Sequence, residues 1–283
     1  MARLLHGRPL AERIKAESLD RSQRLRAVGV EPRLAVVGVG GDPAANSYIQ
    51  RLERSAGEAG VVVVVTVLPR EATEADVIGQ LEGASTDPTV TGILLLTPLP
   101  GALDEAHIVD HIATQKDVEG MHPFNMGFLA DGRPRFVPST ADAVVELLKF
   151  YDVPLRGAHA VIIGRSTVIG RPAAYLLLSE DATVTIAHKR TTDLERLTQG
   201  ADIVVVGVGR PNFLTGSMIA PGATVIDAGI NMTPTGITGD VDLKSVAAVA
   251  GALSPVPGGL GAVTAALLLR NVLTASERQN GLA

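Results

Sequence analysis

Two α/β domains are predicted for this chain, each a mainly parallel sheet with flanking helices, the second Rossmann-like, with a cleft between the two. Three observations carry the prediction. Short β-branched runs alternate with longer amphipathic segments along most of the chain, the signature of β-α-β crossovers and parallel pairing. One apolar run, residues 160–163, breaks at Gly164 into a segment able to be helical from about Gly170, which reads as strand, tight turn and helix start. And 283 residues with 46% hydrophobic side chains and 30 glycines are about two domains' worth of chain, each able to bury a core.

Taken in order, residues 10–28 place Leu10, Ile14, Leu19, Leu25 and Val28 among many charges, an amphipathic helix stopped near Gly29. Residues 34–39 are a strand, closed by the turn Gly40-Gly41-Asp42-Pro43, and residues 44–59 resume as a helix up to Gly60. A strand over 61–68, a helix with an acidic start over 74–83 and a buried strand over 92–96 complete a β-α-β-α-β order. Thr97-Pro98-Leu99-Pro100-Gly101 ends that strand, a helix is expected over 104–113, and Lys116-Asp117-Val118-Glu119-Gly120 is a polar loop. A second unit begins near Pro138: helix 140–150, strand 160–163, crossover helix through 174–178, strands 183–187, 203–208 and 224–226, and a last helix 262–274. The domain division is accordingly 1–137 plus about 262–283 against 138–261, with ligands expected where the carboxyl ends of the strands face the cleft.

Composition narrows the function classes. A net charge of −5 lacks the basic footprint of a nucleic-acid binder and favours a small-molecule partner. The absence of cysteine removes disulfides, thiolate metal ligands and thiol nucleophiles. The apolar run 61–68 is far short of the roughly 20 residues of a membrane span, and no secretory signal pattern opens the chain, so a cytoplasmic protein without membrane contact is expected. His107 and His111 have the i, i+4 spacing that suits a metal but lack the glutamate of H-E-x-x-H and a third ligand, so no metal site is expected.

The turn at Gly164 is the main candidate site. Glycine lets backbone approach a pyrophosphate, and a following helix offers free N–H groups and the positive end of its dipole. The pattern departs from G-x-G-x-x-G, since Ser166 replaces the second glycine and Gly170 comes one residue late; alone, it fits an ordinary strand-to-helix turn equally well. About 20 residues on, where an NAD site carries an acid, the strand instead runs into His188-Lys189-Arg190. With Arg165 these cations could meet the 2′-phosphate of NADP, or simply form a solvated basic loop. Tyr48, after the Gly-Asp-Pro turn at a strand's carboxyl end, reads as a ligand contact or as a core tyrosine. Asp227 ends a strand near the expected nicotinamide position, or caps the following loop.

Read together, Tyr48 within Asp42–Tyr48, Pro98-Leu99-Pro100, Lys116–Gly120 with His122-Pro123, the Gly164 turn, Ile226–Asn231, Gly239-Asp240-Val241 and Pro255–Gly259 stand in the order found in one family. From end to end the chain resembles the bifunctional methylenetetrahydrofolate dehydrogenase/cyclohydrolases. That resemblance implies an NADP-linked, usually homodimeric enzyme that oxidises 5,10-methylenetetrahydrofolate by hydride transfer and hydrolyses the methenyl product. It implies a folate-type substrate domain over 1–137 plus about 262–283 and an NADP domain over 138–261. Gly164, Arg165, Ser166, Gly170, Lys189, Arg190, Gly207 and Ile230 would bind the cofactor; Tyr48, Leu96, Thr97, Pro98, Glu119, Gly258 and Gly259 would bind the substrate, with Tyr48 stacking on the pterin and Glu119 anchoring it.

The resemblance fails at particular positions. The family carries a lysine four residues after the tyrosine, on the same helix face, where this chain has Leu52. Leu96 replaces the glutamine of Gly-Ile-Leu-Val-Gln-Leu-Pro-Leu-Pro, and Glu119 replaces an aspartate. Hydride loss from a methylene carbon between two nitrogens is driven by their lone pairs and needs positioning rather than an obligatory base. Hydrolysis of the methenyl cation needs an oriented water and a titratable side chain, which neither leucine supplies. The expectation is a dehydrogenase whose cyclohydrolase activity is lost or very weak. Its substrate would be methylenetetrahydrofolate or, alternatively, a non-folate cyclic aminal or imine; a homologue that binds folate or nucleotide without turnover is the non-enzyme reading.

Overall fold

A computed structural model of the chain describes residues 2–41, 43–234 and 236–282, with the side chains of Pro43 and Ala44 outside that description; Asp42 of the predicted turn therefore lies outside the described residues. The chain starts with strand β1 (Arg3–Leu4), helix α1 (Arg8–Ala27), β2 (Arg33–Val39), α2 (Pro43–Glu58), β3 (Val62–Leu68), α3 (Glu74–Thr86) and β4 (Gly92–Leu95). Short helices α4 (Glu105–Val109) and α5 (Pro123–Ala130) follow, then α6 (Ser139–Phe150), β5 (His159–Ile163), α7 (Gly170–Ser179), β6 (Thr183–Ala187), α8 (Leu194–Thr198) and β7 (Ile203–Val206). The remainder is β8 (Thr224–Asp227), a hairpin of β9 (Asn231–Thr233) and β10 (Gly236–Thr238), α9 (Leu243–Ala247), β11 (Ala252–Leu253) and α10 (Leu260–Gln279). No helix among the described residues is long and apolar enough to cross a membrane.

Two compact units share these elements. One comprises residues 12–128, 134–137 and 265–283, the other 1–11, 129–133 and 138–264. The first holds a three-stranded parallel sheet in the order β3-β2-β4. Its core packs Leu34 and Val36 of β2 against Leu52 and Ala56 of α2 and Leu268, Leu269, Val272 and Leu273 of α10, while Val77, Leu81 and Ile108 fill the opposite face. The second holds a six-stranded sheet in the order β1-β11-β8-β7-β5-β6, every pairing of which is parallel. Strands β5, β7 and β8 are apolar almost throughout because helices cover both faces of such a sheet.

Both sheets reverse direction beside their first long strand. In the first unit the chain steps from β2 to β3, then crosses to β4 on the other side; in the second it steps from β5 to β6, then crosses to β7. Each reversal opens a crevice at the carboxyl ends of the two diverging strands, where ligands of open α/β sheets bind.

The structure differs from the sequence expectation in three places. The N-terminus, expected with the first domain, belongs to the second sheet: Arg3 and Leu4 pair with Ala252 and Leu253, and the Leu5 N–H donates to the Leu253 carbonyl. A strand of two residues shows no period, and only its distant partner defines it. The helix expected over 104–113 is confined to Glu105–Val109, because beyond it the N–H groups of His111 and Ile112 bond three residues back, to Ile108 and Val109. And α5, α8, α9 and the β9–β10 hairpin had no counterpart in the periodicity, each being too short to carry a full apolar stripe.

Candidate functional site

In the second unit the crevice lies between β5 and β7. Gly164 takes φ +129°, and a Cβ there would stand 2.5 Å from the Gly207 carbonyl oxygen, so the turn after β5 and the loop after β7 meet backbone to backbone. A Cβ on Gly170 would overlap the Gly164 carbonyl, which explains why this later glycine is needed although the spacing is irregular. Ser166 sits at the start of α7: its Oγ accepts from the N–H groups of Ile169 (3.1 Å) and Gly170 (3.4 Å), and its carbonyl from that of Arg171. The Ser166 hydroxyl thus serves two N–H groups of the turn leading into α7, whose N-cap residue, Ile169, makes no side-chain cap. Arg165, Lys189 and Arg190 are exposed; Arg190 N–H donates to His188 Nδ1, tightening the turn that carries the latter two. Ile230 is 67% exposed.

Two buried carboxyls underlie this crevice. Asp227, at the end of β8, accepts from the N–H groups of Gly229, Asp240 and Val241. Of the two sequence readings for this residue, the structure shows the loop cap. Burial raises its carboxyl to about 6, the three N–H groups opposing and the neighbouring Asp240 adding to the rise. Between the unfolded value near 4 and about 6 the folded chain holds a proton that the unfolded chain has released. The group therefore stabilises the fold below that window, and the contribution disappears as pH rises through 6. The melting-temperature gap between the wild type and Asp227→Asn is expected to be wider at about pH 5 than at about pH 8, by roughly 1.4 kcal/mol in free energy. A gap that does not widen on acidification would show the folded carboxyl ionised across this range.

In the first unit the crevice lies between β2 and β4. Tyr48, one turn into α2, is half-buried against the cluster that contains Leu52, Val118 and Phe136, and Leu96 packs on the same cluster. Leu52 is 1% exposed, so the position four residues after the tyrosine is part of the core. Leu96 lies over Gly38, where a Cβ would come 3.1 Å from Leu96 Cδ1. Burial pushes the Tyr48 phenol above its ordinary value, Glu119 adds to the shift, and Arg51 opposes it. The phenol stays protonated at any working pH, a hydrogen-bonding and stacking group rather than a base. Tyr48, Leu52, Leu96 and Glu119 are thus brought together; Thr97 and Pro98, the next residues after Leu96, are exposed. Gly258 and Gly259, expected to contact substrate from the 138–261 domain, lie in the second unit, where the Gly7 N–H donates to the Gly258 carbonyl.

Residues not singled out from the sequence hold Glu119 in place. Asp117, 1% exposed, accepts from the N–H groups of Met121 and His122 and from Asn125 Nδ2 at 2.8 Å. Lys116 turns inward and donates to the carbonyls of Ala84 and Asp87, capping α3, and its burial lowers its amine below the ordinary lysine value. The sequence reads Lys116–Gly120 as a polar loop, but Lys116, Asp117 and Val118 are buried in succession before the half-buried Glu119, a burial that local polarity conceals. His107 and His111 each pair with a carboxylate on α3, Glu74 at 2.5 Å and Glu82 at 2.9 Å.

Two crevices on two parallel sheets, one with a glycine turn and an NAD-type topology, the other with a tyrosine and a carboxylate, match what comparison with known proteins finds. The catalytic-domain model of the tetrahydrofolate dehydrogenase/cyclohydrolase family matches residues 5–119, and the NAD(P)-binding-domain model of that family matches residues 138–280. The chain is 46% identical over 278 residues to the bifunctional protein FolD of Roseiflexus sp. (strain RS-1), covering 98% of this chain and 96% of the relative. Its fold superposes on the bifunctional enzyme FolD from Campylobacter jejuni with a TM-score of 0.95 at 38% identity, over 98% of this chain and 99% of that one. The FolD of Trypanosoma brucei, solved with NADP cofactor and inhibitor, superposes with a TM-score of 0.93 at 32% identity, covering 98% of each chain. With both halves matched and the relatives covered nearly end to end, this chain belongs to the tetrahydrofolate dehydrogenase/cyclohydrolase family.

Proposed function

We propose that this protein is an NADP-dependent methylenetetrahydrofolate dehydrogenase whose cyclohydrolase activity is lost or very weak. The observation that carries the reading is the pairing of Leu52 and Leu96 on one apolar cluster beside Tyr48. At the two positions where the resemblance leads one to expect a lysine and a glutamine, no side chain can orient a water or move its proton. Tyr48 does not replace them, because its phenol remains protonated.

For the dinucleotide half, Gly164 and Gly170 let the turn after β5 pack backbone to backbone at the crevice, and Arg165, Lys189 and Arg190 are exposed to meet a 2′-phosphate. Bound NADP supplies the hydride acceptor. In the substrate half, Tyr48 offers a ring face and a phenol O–H, and Glu119 offers an acceptor to the pterin's amide and amino groups. Leu52 and Leu96 exclude water from the reacting carbon, so the product cation leaves unhydrolysed. On this reading the enzyme is cytoplasmic and homodimeric.

A second reading rests on the same two leucines. Each pterin polar group left without a partner costs about 1–3 kcal/mol, which favours a less polar cyclic aminal or imine over a folate. Assaying the two half-reactions separately tests both. NADP-dependent oxidation of methylenetetrahydrofolate, with hydrolysis of methenyltetrahydrofolate at the buffer rate, supports the first. Turnover on non-folate imines alone supports the second, and NADPH binding with no turnover on either class leaves a binding protein. Enzyme-dependent hydrolysis well above the buffer rate overturns the claim of a lost cyclohydrolase.

A further inference from the structure

We propose that Asp240 is a positioning residue for the dinucleotide, acting through the loop that forms the β7 side of the crevice. The inference rests on reading that crevice as the dinucleotide site. Asp240 is fully buried, and four donors converge on its carboxyl: the N–H groups of Val208 (2.5 Å), Gly209 (2.8 Å) and Arg210 (2.8 Å), and Asn231 Nδ2 (2.8 Å). Three successive backbone N–H groups turned toward one point form a concavity suited to an anion. Here the protein's own side chain fills it.

The consequence is positional. Residues 208–210 directly follow Gly207, whose carbonyl meets Gly164 across the crevice, so the group that fixes 208–210 also fixes one wall of the site. Asp240 is itself held from two sides: its N–H donates to Asp227 Oδ1 at 3.0 Å and its carbonyl accepts from the Leu214 N–H at 2.9 Å. Gly229 packs so closely on its carboxyl that any side chain there would displace it. The chain therefore runs from the end of β8 through Asp227 to Asp240, and from Asp240 to the loop after β7. Because that concavity is occupied from within, anion binding falls to the opposite wall, the Gly164–Gly170 turn. Asparagine is nearly the same size but brings one acceptor oxygen and an NH2 group that faces donors, so Asp240→Asn should release the loop without emptying the site.

The test is a fluorescence titration of NADPH, with steady-state kinetics alongside. Asp240→Asn is expected to raise the NADPH Kd and the KM for NADP together by about tenfold or more, the scale of losing hydrogen bonds to a charged group. Its kcat at saturating cofactor should stay within about threefold of wild type, since no reacting atom is touched. Val246→Ala, a truncation in the same unit's core, serves as the stability control: it should lower the melting temperature and leave Kd within about twofold of wild type. If Asp240→Asn does not fold, Asn231→Ala removes one of the four donors and should raise Kd about two- to fivefold. A folded Asp240→Asn with wild-type Kd, an equal rise in Val246→Ala, or an unchanged Kd in Asn231→Ala where the first variant fails to fold would each overturn the proposal. A wild type that does not bind NADPH would instead overturn the dinucleotide reading.

Discussion

Restoring Leu52→Lys and Leu96→Gln together is expected to create methenyltetrahydrofolate hydrolysis at about 100 times the wild-type rate or more, the lower range of general acid–base catalysis. Leu52 is 1% exposed one helical turn beyond Tyr48, so a lysine there would run its stem through the core and bring its amine toward the tyrosine. Burial lowers a lysine's pKa, and a lowered pKa turns an ammonium into a proton relay near neutrality. The same burial has a cost. An ammonium replacing a leucine among Leu25, Leu34 and Val36 is expected to destabilise the first unit by about 2–5 kcal/mol, read as a lower melting temperature. Glutamine at 96 is milder, since Leu96 is only partly buried. A variant that folds, still oxidises methylenetetrahydrofolate and hydrolyses no faster than wild type would show that these two positions are not what separates this chain from a cyclohydrolase. If neither wild type nor variant acts on folates, the imine reading gains.

Gly164→Ala is expected to weaken NADPH binding by about 100-fold or more, close to 3 kcal/mol. At φ +129° an L-residue is strained by about 1–3 kcal/mol, and the new Cβ would stand 2.5 Å from the Gly207 carbonyl. Both contacting groups are backbone, so neither can rotate away; the turn and the β7 loop must separate, and the crevice widens where the pyrophosphate would lie. Titration with NADPH and a melting curve check this together: affinity should fall far more than stability. Wild-type affinity in Gly164→Ala would place the dinucleotide elsewhere.

How much of this was legible beforehand depends on whether the cause is local. The strand of β6 was read with the observed bounds, and those of β2, β3 and β8 to within a residue, because β-branched alternation and flanking glycines are local properties. The glycine turn was legible for the same reason. Asp240 was not: a buried carboxyl serving three N–H groups some thirty residues earlier leaves no mark on its own neighbourhood. Asp117 and Lys116 were hidden likewise, since a charged pair in a loop looks solvated until the chain folds over it.

By itself, the sequence determined the two parallel α/β units, the dinucleotide turn and the family, all of which rest on periodicity, turn chemistry and the order of short motifs. Only the tertiary structure decided that β1 joins the second sheet, that the Ser166 hydroxyl braces the turn into α7, and that Leu52 and Leu96 share one apolar cluster with Tyr48. The physical reason is the same in each case. Hydrogen bonds and packing between residues far apart in the chain are set by how the strands order themselves, and strand order is not written in any local stretch.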